Sequence, residues 1–258
     1  MDYILTEIIN KVCVIRLNRP EKFNSFVRPM ALKLQEVLAD CEADSAIRCI
    51  VIVGVGKAFC AGQDLQEATD PQGPQLTTIV SEHYNPIIKL IRNVPKPVIT
   101  AVNGVAAGAG ANIALAGDIV IASESASFIQ AFSKIGLIPD SGGTYTLPRL
   151  IGLQRASALM MLGDKISAKD AQSMGMIYQY FPDDVFWESV MVLAHQMSEM
   201  PTLGLALTKQ ALNATFDNTL DQQLQLEDLL QTKAGMSHDY REGTSAFLEK
   251  RKPSFKGH

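Results

Sequence analysis

The sequence predicts an α/β fold, and three features lead to that prediction. Short, mostly apolar runs at 49–54, 98–102 and 118–122 are typical of strands that are buried on both faces of a parallel sheet. Segments with apolar residues at helical spacing separate these runs, and such alternation favours a sheet covered by helices. From residue 185 onward the spacing is helical and strand signals disappear. We therefore expect an α/β core followed by a helical C-terminal part.

The first third of the chain shows clear boundaries between its predicted elements. Residues 3–17 alternate in polarity around a turn at residues 10–11, which predicts a β-hairpin. Apolar residues at helical spacing predict an amphipathic helix over 28–44. The polar segment 66–75 contains Asp-Pro and Gly-Pro pairs and predicts a mobile loop. A helix then runs to about Asn93, where two prolines end it.

The middle of the chain continues the alternation of strand and helix. Ser167 precedes a helical segment and is a predicted N-cap, because its side chain can accept a hydrogen bond from a free backbone N–H. The other predicted elements are a small-residue helix at 107–117, strands at 118–122, 126–128 and 176–181, and a helix at 155–162.

Composition indicates an ordinary globular protein and excludes several functional classes. The chain has 258 residues, 47% hydrophobic and 19% charged, and a net charge of -4 gives no reason to expect nucleic acid. No window resembles a membrane span, and the N-terminus does not resemble a signal peptide. The four cysteines show no CxxC spacing and none is near a histidine, so we expect reduced thiols, no metal site and a cytoplasmic location.

Two segments rich in small residues follow predicted strands and could present backbone N–H groups to a ligand. In residues 56–65, glycine and alanine would let the backbone approach a carbonyl oxygen and polarise it. Residues 103–112 open a helix, whose first amides are unpaired. A tight turn explains the first segment equally well, and a helix packed closely on a sheet explains the second. A dinucleotide site is a weaker interpretation, because the third glycine of that fingerprint is absent.

A third segment, residues 135–144, places one carboxylate between an apolar run and a glycine-opened helix. If Asp140 faced an apolar pocket, loss of hydration would raise its pKa towards a value useful for proton transfer. Asp140 could instead be a turn residue or a helix N-cap, a common use of aspartate. Ser141 could also cap the helix while Asp140 faces a substrate.

Taken together, these segments resemble the enoyl-CoA hydratase/isomerase (crotonase) family over nearly the whole chain. Residues 17–25 resemble its CoA-contacting loop, 57–65 its first oxyanion loop and 97–118 its second. The resemblance implies a spiral of repeated ββα units over residues 1–198. It also implies that helices in 199–258 cover CoA and assemble the chain as a homotrimer or a dimer of trimers.

The resemblance further implies which residues form the site. The backbone N–H groups of Ala61 and Ala109 would bind the thioester oxygen, and Asp140 would be the catalytic acid and base. The CoA phosphates would find Lys22, Lys57 and the basic tail. No metal and no cofactor other than the CoA of the acyl-CoA substrate is expected. The residues expected to line the substrate and CoA site are Lys22, Phe23, Ser25, Lys57, Ala58, Gly62, Gln63, Asp64, Leu65, Gly108, Asn112, Phe132 and Pro139.

The chain departs from the hydratases of this family at two positions. Their two water-activating glutamates fall on Asn112 and Phe132, neither of which can be a general base. We therefore expect an isomerase that moves a double bond from the 3-enoyl to the 2-enoyl position. The segment 135–144 and residues 239–247 are similar to a branch that converts an aromatic ring epoxide to an oxepin in phenylacetate degradation. Aroyl-CoA dehalogenation, thioester hydrolysis, carbon–carbon cleavage, hydration of 2-enoyl-CoA and a catalytically weak partner-binding role remain alternatives.

Overall fold

A computed structural model describes residues 2–258, and two β-sheets form its centre. The larger sheet has the strand order β1-β2-β3-β5-β7-β10, with β1 antiparallel to β2 and the other neighbours parallel. The smaller sheet has the order β4-β6-β8-β9. The strands are β1 (Ile4–Ile9), β2 (Val12–Leu17), β3 (Cys49–Gly54), β4 (Ala58–Cys60), β5 (Val98–Val102), β6 (Val105–Ala107), β7 (Ile119–Ser123), β8 (Ser127–Ile129), β9 (Lys165–Ser167) and β10 (Gln179–Phe181).

Successive strand pairs contribute to both sheets. The pairs β3–β4, β5–β6 and β7–β8 each give one strand to the large sheet and the next strand to the small sheet, and helices follow each pair. The large-sheet strands of these pairs are neighbours, and so are the small-sheet strands. This arrangement confirms the predicted repetition of ββα units.

Helices cover both faces of the large sheet and form the C-terminal part. Apolar residues of α1, including Met30 and Leu34, pack against one face, and Phe186 and Val190 of α9 pack against the other. The helices are α1 (Arg28–Ala43), α2 (Leu65–Ala68), α3 (Leu76–Thr78), α4 (Asn85–Asn93), α5 (Ala109–Leu115), α6 (Gly143–Ile151), α7 (Leu153–Leu162), α8 (Ala168–Ser173), α9 (Phe186–Glu199), α10 (Thr202–Ala214), α11 (Leu220–Gly235) and α12 (His238–Glu249). A π-helical segment, Ile79–Tyr84, leads into α4, and 3-10 turns span Pro20–Lys22 and Ala131–Ile135.

Several predicted boundaries are confirmed and others are wrong. The hairpin and α1 lie where expected, and Ser167 caps α8 by accepting a hydrogen bond from the Asp170 amide at 3.1 Å. The predicted loop 66–75 instead lies partly in α2, because Asp64 accepts a hydrogen bond from the Gln66 amide and so caps a helix there.

Two other segments are shorter than predicted. The small-residue helix begins at Ala109 because 105–107 pairs with β4 and β8 as a strand. Only Gln179–Phe181 of the predicted strand 176–181 is extended and paired.

The C-terminal tail folds back on the protein. Asp239 accepts hydrogen bonds from the backbone N–H groups of Lys256 and Gly257 at 2.7 and 2.6 Å. Arg48, near the start of β3, donates to the carbonyl of Phe255 at 2.9 Å. Within residues 2–258, none of the helices has the length and apolar character that crossing a membrane requires. The division of the chain after residue 198 stays a prediction.

Candidate active site

The end of β4 and the start of α5 bring two backbone N–H groups to the same place. Ala109 is the first residue of α5, where a helix has no internal acceptor for its N–H. Gly62 lies beside it: a Cβ built on Gly62 would be 3.4 Å from the Ala109 nitrogen and 2.9 Å from the Ala107 carbonyl oxygen. Gly62 also has φ +91°. Both the close approach and the positive φ therefore require glycine at this position.

The structure corrects one of the two expected oxyanion donors. The Ala61 N–H donates to the carbonyl of Phe23 at 3.0 Å, so it is engaged in holding the loop. Among the described residues, no hydrogen-bond acceptor is assigned to the backbone N–H of Gln63 or of Ala109. Gln63 and Ala109 are therefore the donors available for a carbonyl oxygen.

No local sequence signal indicates this correction, because the partners of the loop lie far from it along the chain. Phe26 donates its N–H to the Gly62 carbonyl at 2.7 Å and accepts from the Asp64 N–H at 2.9 Å. Since the C=O and N–H of one peptide point in opposite directions, the first bond directs the Gln63 N–H away from Phe26.

Asp140 lies in the turn before α6 and is partly buried. Burial raises the pKa of its carboxyl, while the Ser141 hydroxyl, which donates to Oδ1 at 2.8 Å, acts in the opposite direction. The alternative of a helix cap does not hold for Asp140 or Ser141, since α6 begins after Gly142 and none of the described side chains caps it. Ser141 has φ +52° and is buried, so the turn is held in one conformation with Asp140 beside it. The carboxylate thus has a perturbed pKa without being used in helix capping.

Asn112 connects α5 to the Asp140 turn. Its Nδ2 donates to the Asp140 carbonyl at 2.8 Å, and its Oδ1 accepts from Gln130 Nε2 at 2.8 Å. It is only 2% exposed, and a Cβ on Gly143 would come within 2.4 Å of its Nδ2. The structure corrects the expectation that Asn112 lines the substrate site: its side chain fixes the backbone of Asp140.

Phe132 lies against the second donor loop. A Cβ on Gly108 would be 3.8 Å from Phe132 Cζ, so the ring lies beside the residue that precedes Ala109. Phe132 is 6% exposed, whereas Leu137 and Ile138 in the segment that follows are 40% and 81% exposed. Phe132 therefore places a buried apolar ring beside the start of α5.

The loop residues expected to bind CoA divide into two groups. Ser25, Ala58 and Asp64 are buried, and they hold the loop instead of presenting side chains to a ligand. Asp64 pairs with Arg19 at 2.6 Å, and Arg19 also donates to Ser25 Oγ at 3.0 Å. Burial opposes ionisation of Asp64, but Arg19 and the Gln66 amide hold the pKa of its carboxyl below the ordinary value. Their side chains are therefore not exposed to a ligand, and their place in the CoA site stays a prediction.

The second group is accessible. Phe23 and Leu65 are more than half exposed, and Lys22 and Lys57 have exposed side chains. Lys22 donates to Gln66 Oε1 at 3.2 Å, a solvent-exposed bond that a phosphate could replace. Gly108 and Pro139 are partly exposed next to Ala109 and Asp140 in the chain.

Sequence reasoning missed Tyr84, which is fully buried at the end of the π-helical segment. Its hydroxyl donates to Gln63 Oε1 at 2.9 Å. A buried tyrosine at a π-helical turn next to a donor loop has no signature in the sequence. Across residues 2–258, the histidines, cysteines and acidic residues form no cluster suited to a metal ion.

Comparisons with known proteins agree on one family. The family described as Enoyl-CoA hydratase/isomerase matches residues 7–258. The chain is 51% identical to the 1,2-epoxyphenylacetyl-CoA isomerase of Escherichia coli, covering 100% of this chain and 99% of that one. It is 34% identical to a trans-2-decenoyl-[acyl-carrier-protein] isomerase of Streptococcus mutans, covering 100% of both chains. A crystal structure of the enoyl-CoA hydratase of Bacillus anthracis superposes with a TM-score of 0.92 at 32% identity, covering 100% of both chains.

Proposed function

The chain belongs to the enoyl-CoA hydratase/isomerase family, and from this premise we propose that it isomerises CoA thioesters with Asp140 as its acid and base. One observation carries the proposal: Asp140 is a partly buried carboxylate with a raised pKa, tethered through Asn112 to the helix whose first N–H is a free donor. The positions of the two hydratase glutamates hold Asn112 and Phe132, so proton transfer rests on Asp140.

The proposed reaction needs one base and one oxyanion site. The thioester oxygen accepts hydrogen bonds from the N–H groups of Gln63 and Ala109, which stabilise the negative charge of the enolate. Asp140 takes a proton from C2 of a 3-enoyl-CoA and returns it to C4, which leaves the double bond between C2 and C3. Phe132 keeps water away from the conjugated product.

We propose an aromatic ring epoxide of phenylacetyl-CoA as the main substrate. The support is the 51% identity to an enzyme named for that substrate over both full lengths. The aromatic wall that Phe132 forms next to Gly108 suits a flat acyl group. The same oxyanion site would hold this thioester while the epoxide rearranges to the oxepin.

A direct assay tests the function. Purified protein is given a 3-enoyl-CoA, the ring epoxide of phenylacetyl-CoA and crotonyl-CoA in separate reactions, and the products are separated by liquid chromatography. We expect isomerisation of the first two and only slow hydration of the third. Turnover of crotonyl-CoA at rates comparable to isomerisation would contradict the proposal.

Hydration of 2-enoyl-CoA is the second candidate, because a solved structure named enoyl-CoA hydratase superposes over the full chain. Hydration requires a base that activates water on the face of the double bond. Asn112 is hydrogen-bonded on both sides and Phe132 is apolar, so Asp140 would have to supply that base. The crotonyl-CoA reaction above distinguishes this candidate.

Assembly, phosphate binding and location are also proposed. Large apolar side chains on the C-terminal helices are exposed, with Phe247 83% and Leu248 80% exposed, which supports a trimer or a dimer of trimers built through this part. Lys22 and Lys57 would contact the CoA phosphates together with lysines of the basic tail. The four cysteines are free and buried, which suits a cytoplasmic location. Light scattering after gel filtration measures the assembly.

A further inference from the structure

The side chain of Gln63 is held at both ends. Its Oε1 accepts from the Tyr84 hydroxyl at 2.9 Å, and its Nε2 donates to Glu67 Oε2 at 2.8 Å. Glu67 is fixed in turn, since its carboxylate accepts from the Arg28 N–H at 2.9 Å. A partly buried glutamine with both amide atoms satisfied keeps one rotamer. The residue that carries the oxyanion N–H is therefore anchored through its side chain as well as its backbone.

Tyr84 reaches the backbone side of the same loop too. Its ring packs on Phe26, with ring centroids 5.9 Å apart. Phe26 brackets Gln63 through the hydrogen bonds from its N–H to Gly62 and to its carbonyl from Asp64. Gly62, which precedes the donor, has no Cβ to restrict rotation of the peptide. Tyr84 thus supports both groups that fix the direction of the Gln63 N–H.

The polarity of the Tyr84 hydrogen bond is fixed by its surroundings. Nε2 of Gln63 faces a carboxylate that must accept, so Oε1 faces Tyr84 and the phenol must donate. Burial raises the pKa of Tyr84 well above its ordinary value, and the nearby Cys60 and Asp140 raise it further. The phenol therefore stays protonated and donates throughout the pH range in which Asp140 titrates.

We propose that Tyr84 is a positioning residue for the oxyanion site, holding Gln63 so that its backbone N–H points at the thioester oxygen. This inference rests on the proposed acyl-CoA function of the site and adds a residue outside its three motifs. Tyr84 does not touch the reacting atoms; it acts through Gln63. Its effect should therefore fall on the transition state, where the oxygen carries negative charge, more than on binding of the neutral thioester.

The Tyr84→Phe variant removes the hydroxyl and keeps the ring that packs on Phe26. Loss of an entire oxyanion donor lowers kcat by about 100- to 1,000-fold. Since the N–H is displaced and not removed, we expect kcat to fall by about 10- to 100-fold with KM within about twofold. Gln63→Met, which keeps the N–H but loses both anchors, should give a similar loss. Combining the two changes should add little to either alone.

A spectroscopic probe reports the oxyanion site without turnover. A conjugated 2,4-dienoyl-CoA absorbs at longer wavelength when its carbonyl is polarised by hydrogen bonds. We expect a red shift on binding to the unaltered protein and a smaller shift with Tyr84→Phe at saturation. Tyr180→Phe removes a hydroxyl from β10 in the large sheet and serves as the matched control, with kcat and red shift unchanged. Circular dichroism verifies that each variant is folded.

The outcomes separate this inference from the proposed function. A folded Tyr84→Phe protein with the original kcat, or with lowered kcat but a full red shift, overturns the positioning role. If Tyr84→Phe fails to fold, Gln63→Met decides, and a full red shift in that variant overturns the role equally. If the unaltered protein isomerises neither substrate, the proposed function fails, while the red shift in the variants still tests the position of Gln63.

Discussion

Replacing Asp140 by asparagine should abolish proton transfer while leaving the site assembled. The Asn112 bond goes to the Asp140 backbone carbonyl, and an asparagine Oδ1 can still accept from the Ser141 hydroxyl. The expected loss is therefore that of the acid/base alone, about 100- to 10,000-fold in kcat, or about 3–5 kcal/mol of transition-state stabilisation. Binding of a dienoyl-CoA should be retained, because Gln63 and Ala109 are unchanged.

Although Asp140→Asn should lower kcat, it should not lower the stability of the protein. The carboxyl of Asp140 has a raised pKa, so folding opposes its ionisation. This cost is absent below the ordinary pKa of aspartate and fully present above the raised pKa. Thermal melts should therefore show Asp140→Asn at least as stable as the unaltered protein at neutral pH, with the difference vanishing in acid.

The assay combines rates at several pH values with melting curves and uses the exposed Asp164→Asn as a control. In the unaltered protein, kcat/KM should fall as pH drops through a value above that of a free aspartate, because the base becomes protonated. A folded Asp140→Asn protein that binds CoA thioester and isomerises at the original rate would refute the reasoning.

Three other changes test the scaffold of the site. Ala109→Pro removes one N–H at the first position of α5, where proline is tolerated, so kcat measured on folded protein should drop about 100- to 1,000-fold; a drop below tenfold would remove Ala109 from the oxyanion site. Asn112→Ala leaves Gln130 without its buried acceptor and should lower the free energy of unfolding in urea by about 1–3 kcal/mol, with reduced kcat. Asp64→Asn breaks the buried ion pair with Arg19 and should lower the free energy of unfolding in urea by about 3 kcal/mol at pH 7. Because the pKa of Asp64 is lowered, that deficit should shrink as pH falls through this pKa, and a pH-independent deficit would contradict it.

Local patterns were sufficient to predict most of the fold. The continuous apolar run of β3 and the helical spacing of α1 indicated their structure because burial of each depends on its own periodicity. The predicted loop at 66–75 was wrong in part, because Asp64 caps α2. This cap is a local signal, but the proline and glycine pairs at 70–74 are stronger signals for a loop.

The candidate site was predicted in outline and corrected in detail. The sequence by itself determined that the α/β core carries two loops rich in small residues and, in the segment 135–144, one carboxylate, Asp140. Glycine and alanine permit close approach of the backbone, and aspartate supplies a negative charge, wherever they lie in the fold. Only the tertiary structure decided that the Ala61 N–H donates to the Phe23 carbonyl, whereas the Gln63 N–H has no acceptor among the described residues. Hydrogen bonds between distant segments engage some backbone donors and leave others available. A local sequence pattern does not show which distant segment will lie next to each donor. For the same reason Tyr84 could not be predicted, because its role depends on the contact between the π-helical turn and the loop that carries Gln63.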